Sequence, residues 1–328
     1  MATLTEMLVR AAATAILCCS AASAQTLTVT ALTSPLPAVH ATGAGGSRSR
    51  SLPPGVVGAT QSISAGWGYL GDTASATQAV VLAPSTARFS ATTQRQTSLP
   101  NSVVSAVAEG AFDIDLDAPS GGGLLIEYFV ASDQVPDLRI DVDADGTFEV
   151  LVTRAGSSES SSLAVPVSPT SPLRTRVSFR IRTGLGFDSF SLVQFSFHFV
   201  PRDTVAFSRG APGCAPGRSP PVLSGLDTRT ATGHRIAFRV DLALRNSPVV
   251  LAFGRNTADA AIGVPPGCSM LLAPDVWIFL DADSAGVATH SIDLALPFPA
   301  GLIHAQALPF DFSPQVITSN RFAVVLVP

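Results

Sequence analysis

Apolar positions along this chain recur at every second residue or gather into short runs, with turn-rich gaps between them. Arg235 to Leu242 alternates, with Ile236, Phe238, Val240 and Leu242 predicted to face inward. Val177 to Arg182 (VSFRIR) alternates as cleanly. Leu124 to Val130 (LLIEYFV) is almost wholly apolar and reads as a mostly buried strand, introduced by Gly121, Gly122 and Gly123. A period of two is the pleat of a β-strand. Beyond the first 24 residues no segment keeps a helical period. Short strands between regular turn signals predict an all-β protein of antiparallel sandwich or jelly-roll type.

Phe190 to Val200 changes parity: Phe190 and Leu192 share one phase, Phe195, Phe197 and Phe199 the other. That switch predicts a β-bulge near Val193 and Gln194. Residues 35–55 and 156–172 are rich in Pro, Ser and Gly and read as surface loops. The run RGAPGCAPGRSPP after Ser208 breaks the pattern, so the chain divides into a domain over 25–203 and another over 204–328. Six or seven strands are expected in the second: the run at 235–242, then 249–253, 276–280, 288–296, 302–308 and 322–327.

One segment combines strand pattern with crowded charge: Arg139 to Val150, RIDVDADGTFEV. A three-residue turn, Ala144-Asp145-Gly146 with Gly146 left-handed, sets Ile140 opposite Val150 and Asp141 opposite Glu149. Leu138, Ile140, Val142, Phe148, Val150 and Val152 then share one face, which a two-residue turn would spoil. Asp141, Asp143 and Glu149 fall on the solvent face, with Asp145 at the tip. Opposed like charges destabilise a hairpin, and calcium, a hard cation that takes six to eight oxygens, would neutralise them. Asp141, Asp143, Asp145, Thr147 and Glu149 are therefore the candidate metal ligands, against the alternative of a hydrated polar turn. The DxDxDG spacing resembles EF-hand-like and dockerin-like calcium loops. Position twelve is Val152, not the bidentate Glu, and no flanking helix is evident, which excludes a complete EF-hand.

The chain has 328 residues, 46% of them apolar and only 13% charged, with 26 Gly and 25 Pro. That suits a turn-rich β protein. All 20 basic residues are Arg. Without lysine there is no P-loop, Schiff base or kinase-type lysine. A net charge of −4 offers no basic face for nucleic acid. The first 24 residues place Arg10 before an apolar run and end in Ala22-Ser23-Ala24, a signal-peptide pattern with cleavage after Ala24. The run is too short to span a membrane. Leu17 and Cys18 do not supply the small residue that a lipoprotein anchor at Cys19 wants. The mature chain would keep Cys214 and Cys268, an even count that predicts one disulfide in an oxidising compartment.

Residues from about 210 to 328 resemble a C-terminal module of large secreted proteins of planctomycete-type bacteria. The matching pieces are Gly213-Cys214, Gly267-Cys268, Leu280-Asp281, Gly286, Gln306 and Ser319-Asn320. Where the module usually has Leu after Ser-Asn, this chain has Arg321-Phe322. The resemblance implies secretion and a β-sandwich and carries across no catalytic residue.

The five histidines form no HExxH or other close pair, and there is no GxSxG or strand-to-helix GxGxxG. Glu127, within an apolar strand, reads as an outward acid. Trp67 and Tyr69 offer either a sugar-stacking platform or a core aromatic pair. Two functions follow as expectations. One is a secreted, non-enzymatic cell-surface protein for structure, adhesion or assembly, stabilised by calcium, with other envelope proteins as partners. The other is a carbohydrate-binding or carbohydrate-active jelly roll, with cell-surface polysaccharide as partner.

Overall fold

The structure, a computed structural model, describes residues 25–327 except 44, 59, 70–71, 99–103, 154–156, 184–187, 210–212, 216–218, 263–267, 299–300 and 311–316. The expected signal peptide lies outside the described residues. The fold is all-β, built from antiparallel sheets.

The first unit comprises β1 (Thr26–Ala31), β2 (Ala38–Gly43), β3 (Gly46–Ser51), β4 (Gly55–Val56), β5 (Gln61–Tyr69), β6 (Asp72–Ala83), β7 (Thr86–Gln96), β8 (Ser105–Asp117), β9 (Gly122–Ser132), β10 (Asp137–Asp141), β11 (Val150–Val152), β12 (Ser157–Val167), β13 (Leu173–Arg182) and β14 (Asp188–Pro201). One sheet runs β11-β10-β13-β8-β1-β4, with β2 pairing to β8 and β3 to β2. The other runs β12-β9-β14-β7-β6-β5. Their inner faces close on one apolar core. Phe112 of the first sheet meets Phe89 of the second at 4.9 Å, and Phe89 stacks on Phe195 at 4.6 Å. Each buried Phe contributes about 1.5–3 kcal/mol of transfer free energy, so this aromatic contact is a principal bond between the sheets.

Two sequence expectations are corrected in this unit. Residues 38–43, 46–51 and 157–167 are strands, not loops. β12 (SSESSSLAVPV) pairs with β9 along its whole length, from Ser157↔Ser132 to Val167↔Gly122. Strand preference reflects the partner and the half-buried surface more than the residue itself, and the apolar β9 supplies the partner. Nor does β14 bulge: its register with both β7 and β9 is unbroken through Val193 and Gln194. Phe190 and Leu192 simply lie on the outer face, and the small Ser189 and Ser191 are buried within.

From β14 the chain turns through Arg202 and Asp203, whose φ is 53°, into the second unit. Its strands are β15 (Thr204–Arg209), β16 (Val222–Arg229), β17 (Gly233–Asp241), β18 (Pro248–Gly254), β19 (Asn256–Ile262), β20 (Cys268–Ala273), β21 (Val276–Asp281), β22 (Ala288–Ala295), β23 (Gly301–Pro309) and β24 (Phe322–Val327). A five-stranded sheet, β15-β24-β23-β18-β21, packs on a three-stranded one, β16-β17-β22, about Phe238, Phe253 and Phe322. The β19-β20 ribbon forms a third layer, with Met270 and Leu272 against Val250 and Ala252. Ten strands among the described residues replace the six or seven expected. Leu242 is not inward but exposed: β17 ends at Asp241, and Leu242 takes a left-handed φ of 62° while Ala243 enters the core.

Three of the residues that carry the module resemblance, Gln306, Ser319 and Asn320, are main-chain fasteners. Asn320 accepts from Leu223 N at 2.8 Å and donates to Leu223 O at 3.1 Å. The Ser319 hydroxyl accepts from Ala307 N, and Gln306 accepts from Leu271 N while donating to Ser319 O. Gly213 lies so close to Thr318 that a Cβ would fall 2.4 Å from its carbonyl oxygen. The three polar side chains tie neighbouring main-chain groups into a buried place, where an unmade bond would cost about 1–3 kcal/mol.

The two units share a seam. Leu125 and Val200 of the first pack with Val325 and Val327 of the second, flanked by Ala164, Ala206 and Leu302. Gly123 leaves room for Val327, whose Cγ2 would sit 2.8 Å from a Cβ there.

Candidate functional site

The acidic hairpin keeps the expected register. Ile140 faces Val150 and Leu138 faces Val152, and Gly146 has a φ of 95°. The expected three-residue turn does not form: paired strand ends at Asp141, residues 142–149 curl as a loop, and Asp141 is not paired with Glu149. Two placements differ from expectation. Asp141 belongs to the outward parity yet is buried, because its own loop folds over it. Its carboxylate accepts from Asp145 N at 3.1 Å and Gly146 N at 2.9 Å. Phe148 leaves the apolar face, becomes exposed and lies under the Arg139 guanidinium at 5.6 Å.

Backbone donors answer much of the charge. Thr147 N donates to Asp145 at 2.7 Å, and Val142 N donates to Glu149 at 2.7 Å. Asp141, Asp143 and Asp145 bring carboxylate oxygens to within 4.8 Å of one another. Glu149 and Thr147 stand outside that group and serve the loop through these hydrogen bonds. The donor chemistry, three carboxylates converging at a hairpin tip, fits a hard divalent cation.

The disulfide joins Cys214 to Cys268, with Cα atoms 5.3 Å apart across 54 residues. Cys214 also exchanges two backbone hydrogen bonds with Thr318. Trp67 packs partly buried against the first core, its ring pressed on Gly43, where a Cβ would fall 2.5 Å away. That contact covers one ring face. The Tyr69 side chain lies outside the described residues.

A second candidate was not foreseen. Beside the seam, the outer face of the β12-β9-β14-β7 sheet floors a cleft of about 510 Å³, with Arg321 of the second unit in its wall. Cross-strand register lays Ser162, Glu127, Ser196, Arg88 and Val81 in one row. Ser160, Phe129, Gln194 and Ser90 form the next. Arg321 is only 2% exposed and donates to Ser160 O at 2.8 Å, while its Nε has no partner. Burial lowers its pKa; Tyr128 and Glu127 act in the opposite sense. Burial and then Glu159, which accepts from the Tyr128 hydroxyl at 3.0 Å, raise the Tyr128 pKa.

Ser196, His198 and Glu127 meet on this floor without forming a catalytic relay. His198 Nε2 lies 3.0 Å from Ser196 Oγ and 3.2 Å from Glu127 Oε2. A nucleophile relay uses opposite ring nitrogens, one for the hydroxyl and the other for the carboxylate. Here one nitrogen serves both, so Glu127 anchors a surface network.

No family model matches the chain, and no curated protein matches it. Among the described residues no helix is long and apolar enough to cross a membrane, and the Cys214–Cys268 pair is compatible with an extracellular protein.

Proposed function

We propose that this chain is a secreted, non-enzymatic protein of the cell surface, acting in structure, adhesion or assembly as one stiff two-sandwich unit. The seam carries this reading. A two-residue connection, an apolar cluster and the buried Arg321–Ser160 hydrogen bond tie the units where a flexible linker would let them swing. Stiffness suits a module that holds partners at fixed distance. Residues 1–24 would direct export, with Gln25 as mature start.

Calcium belongs to the same reading. Asp141, Asp143 and Asp145 would hold the ion, which would supply positive charge where three carboxylates converge. Asp141 also closes the loop by accepting from Asp145 N and Gly146 N.

The cleft favours carbohydrate binding as the second reading. Its floor offers Phe129 beside Ser, Gln, Glu and Arg side chains, the mixture that a sugar's faces and hydroxyls require. A polysaccharide array with the mature protein separates the two. No binding to any class is expected from the structural reading. Reproducible binding to one class, lost in Phe129→Ala, would replace it with the second.

A further inference from the structure

β21 forms one margin of the five-stranded sheet: it pairs with β18, and no described strand pairs with its other side. Its sequence, with the residue before it, is Asp-Val-Trp-Ile-Phe-Leu-Asp from Asp275 to Asp281. Natural edges are blunted by charge, proline, bulges or shortness. β21 has none of these between its two acids. Phe279 is 79% exposed, Val276 52% and Trp277 45%. Trp277 and Phe279 share the outer face, and Val276 lies on the other, so both faces of one strand leave apolar surface in water.

The hydrogen-bond phase shows which backbone groups are open. Ala282 N donates to Ser247 O, in register with Val249↔Leu280 and Leu251↔Ile278. Bonding residues alternate along an antiparallel ladder. Val276, Ile278 and Leu280 therefore direct their N–H and C=O toward β18, and Trp277, Phe279 and Asp281 direct theirs outward. The Phe310 N to Pro248 O bond on the far side of β18 fixes the same phase.

The segment is also symmetric in chemistry about Ile278. Val276 answers Leu280, Trp277 answers Phe279, and Asp275 answers Asp281. We infer that β21 docks antiparallel on β21 of a second copy of this chain, with the two-fold axis at Ile278. Trp277 then faces Phe279 of the second copy, and both residues present outward backbone groups, as a hydrogen-bonded pair requires. The aromatic pair occurs twice, and cross-strand aromatic pairs are among the stabilising ones. Val276 is covered by Leu280 of the second copy on the opposite face. Asp275, which would meet the second copy's Asp281, already carries Arg255: the Arg255 N and Nε both donate to its carboxylate, at 3.1 and 3.4 Å. The Arg255 side chain is 82% exposed and would offset the approach of the second acid. One patch serves both subunits, so the contact closes as a dimer and does not propagate.

This inference extends the assembly reading without resting on it; a chain that binds glycans would dimerise through the same edge. The test is sedimentation velocity of the full chain over a concentration series, beside Phe279→Lys and Trp277→Lys. The wild type is expected to pass from the monomer mass to twice that mass. Each variant should dimerise at least about tenfold more weakly with an unchanged thermal melt, since both side chains sit substantially in water. A wild type that stays monomeric at about 200 μM, some 5 kcal/mol of association, would overturn the inference. So would variants that dimerise as the wild type does.

Discussion

His304 shows how a single side chain sets a pH limit on this fold. It lies in β23 between Gly254 and Ala323, is 1% exposed, and has no partner for Nδ1. Burial, helped by the nearby Arg321 charge, lowers its pKa from 6.5 to about 4. Between those values the unfolded chain holds a proton that the folded chain refuses, so stability rises with pH. Full stability is expected above pH 6.5, with a loss on the order of 3 kcal/mol as pH falls toward 4. Urea unfolding from pH 4.5 to 7.5 should show that slope, and His304→Leu should flatten it. A wild-type profile without slope would contradict the assignment. Little of this was legible in sequence. The five histidines could be seen to lack a metal pairing, but that His234 and His304 are the buried ones depends on how the sheets close. Leu242 makes the same point in reverse: alternation placed it inside, and a left-handed residue at the strand end put it outside.

At the scale of the element, the hairpin was the most legible part. The apolar face selected one register, and Ile140↔Val150 and the left-handed Gly146 follow it. Pattern did not reveal that backbone N–H groups would fold over Asp141, because such donors belong to the loop's path and not to residue type. This shapes the metal test. Asp141 should be spared, and Asp143→Asn with Asp145→Asn compared with the wild type in a calorimetric calcium titration. Micromolar to millimolar binding that disappears in the variant is expected. No heat in the wild type, with the same melting temperature in chelator, would leave a polar turn. The Ser-rich β12 was misread for a related reason: its own composition says loop, and only the apolar partner β9 makes it a strand.

For the whole molecule, the all-β class and the Cys214–Cys268 pair could be read from composition and punctuation. The seam could not, since Leu125, Val200, Val325 and Val327 look like ordinary core positions until two sheets are laid together. Nor did the sequence show that Arg321 would reach across to Ser160. The proposed function stands on that seam, and differential scanning calorimetry tests it most directly. The protein is expected to unfold in one cooperative transition, and Leu125→Asp, which buries a charge between the units, should split it into two. Two well-separated transitions in the wild type would mean that the sandwiches are independent, and would contradict the reading of one stiff unit.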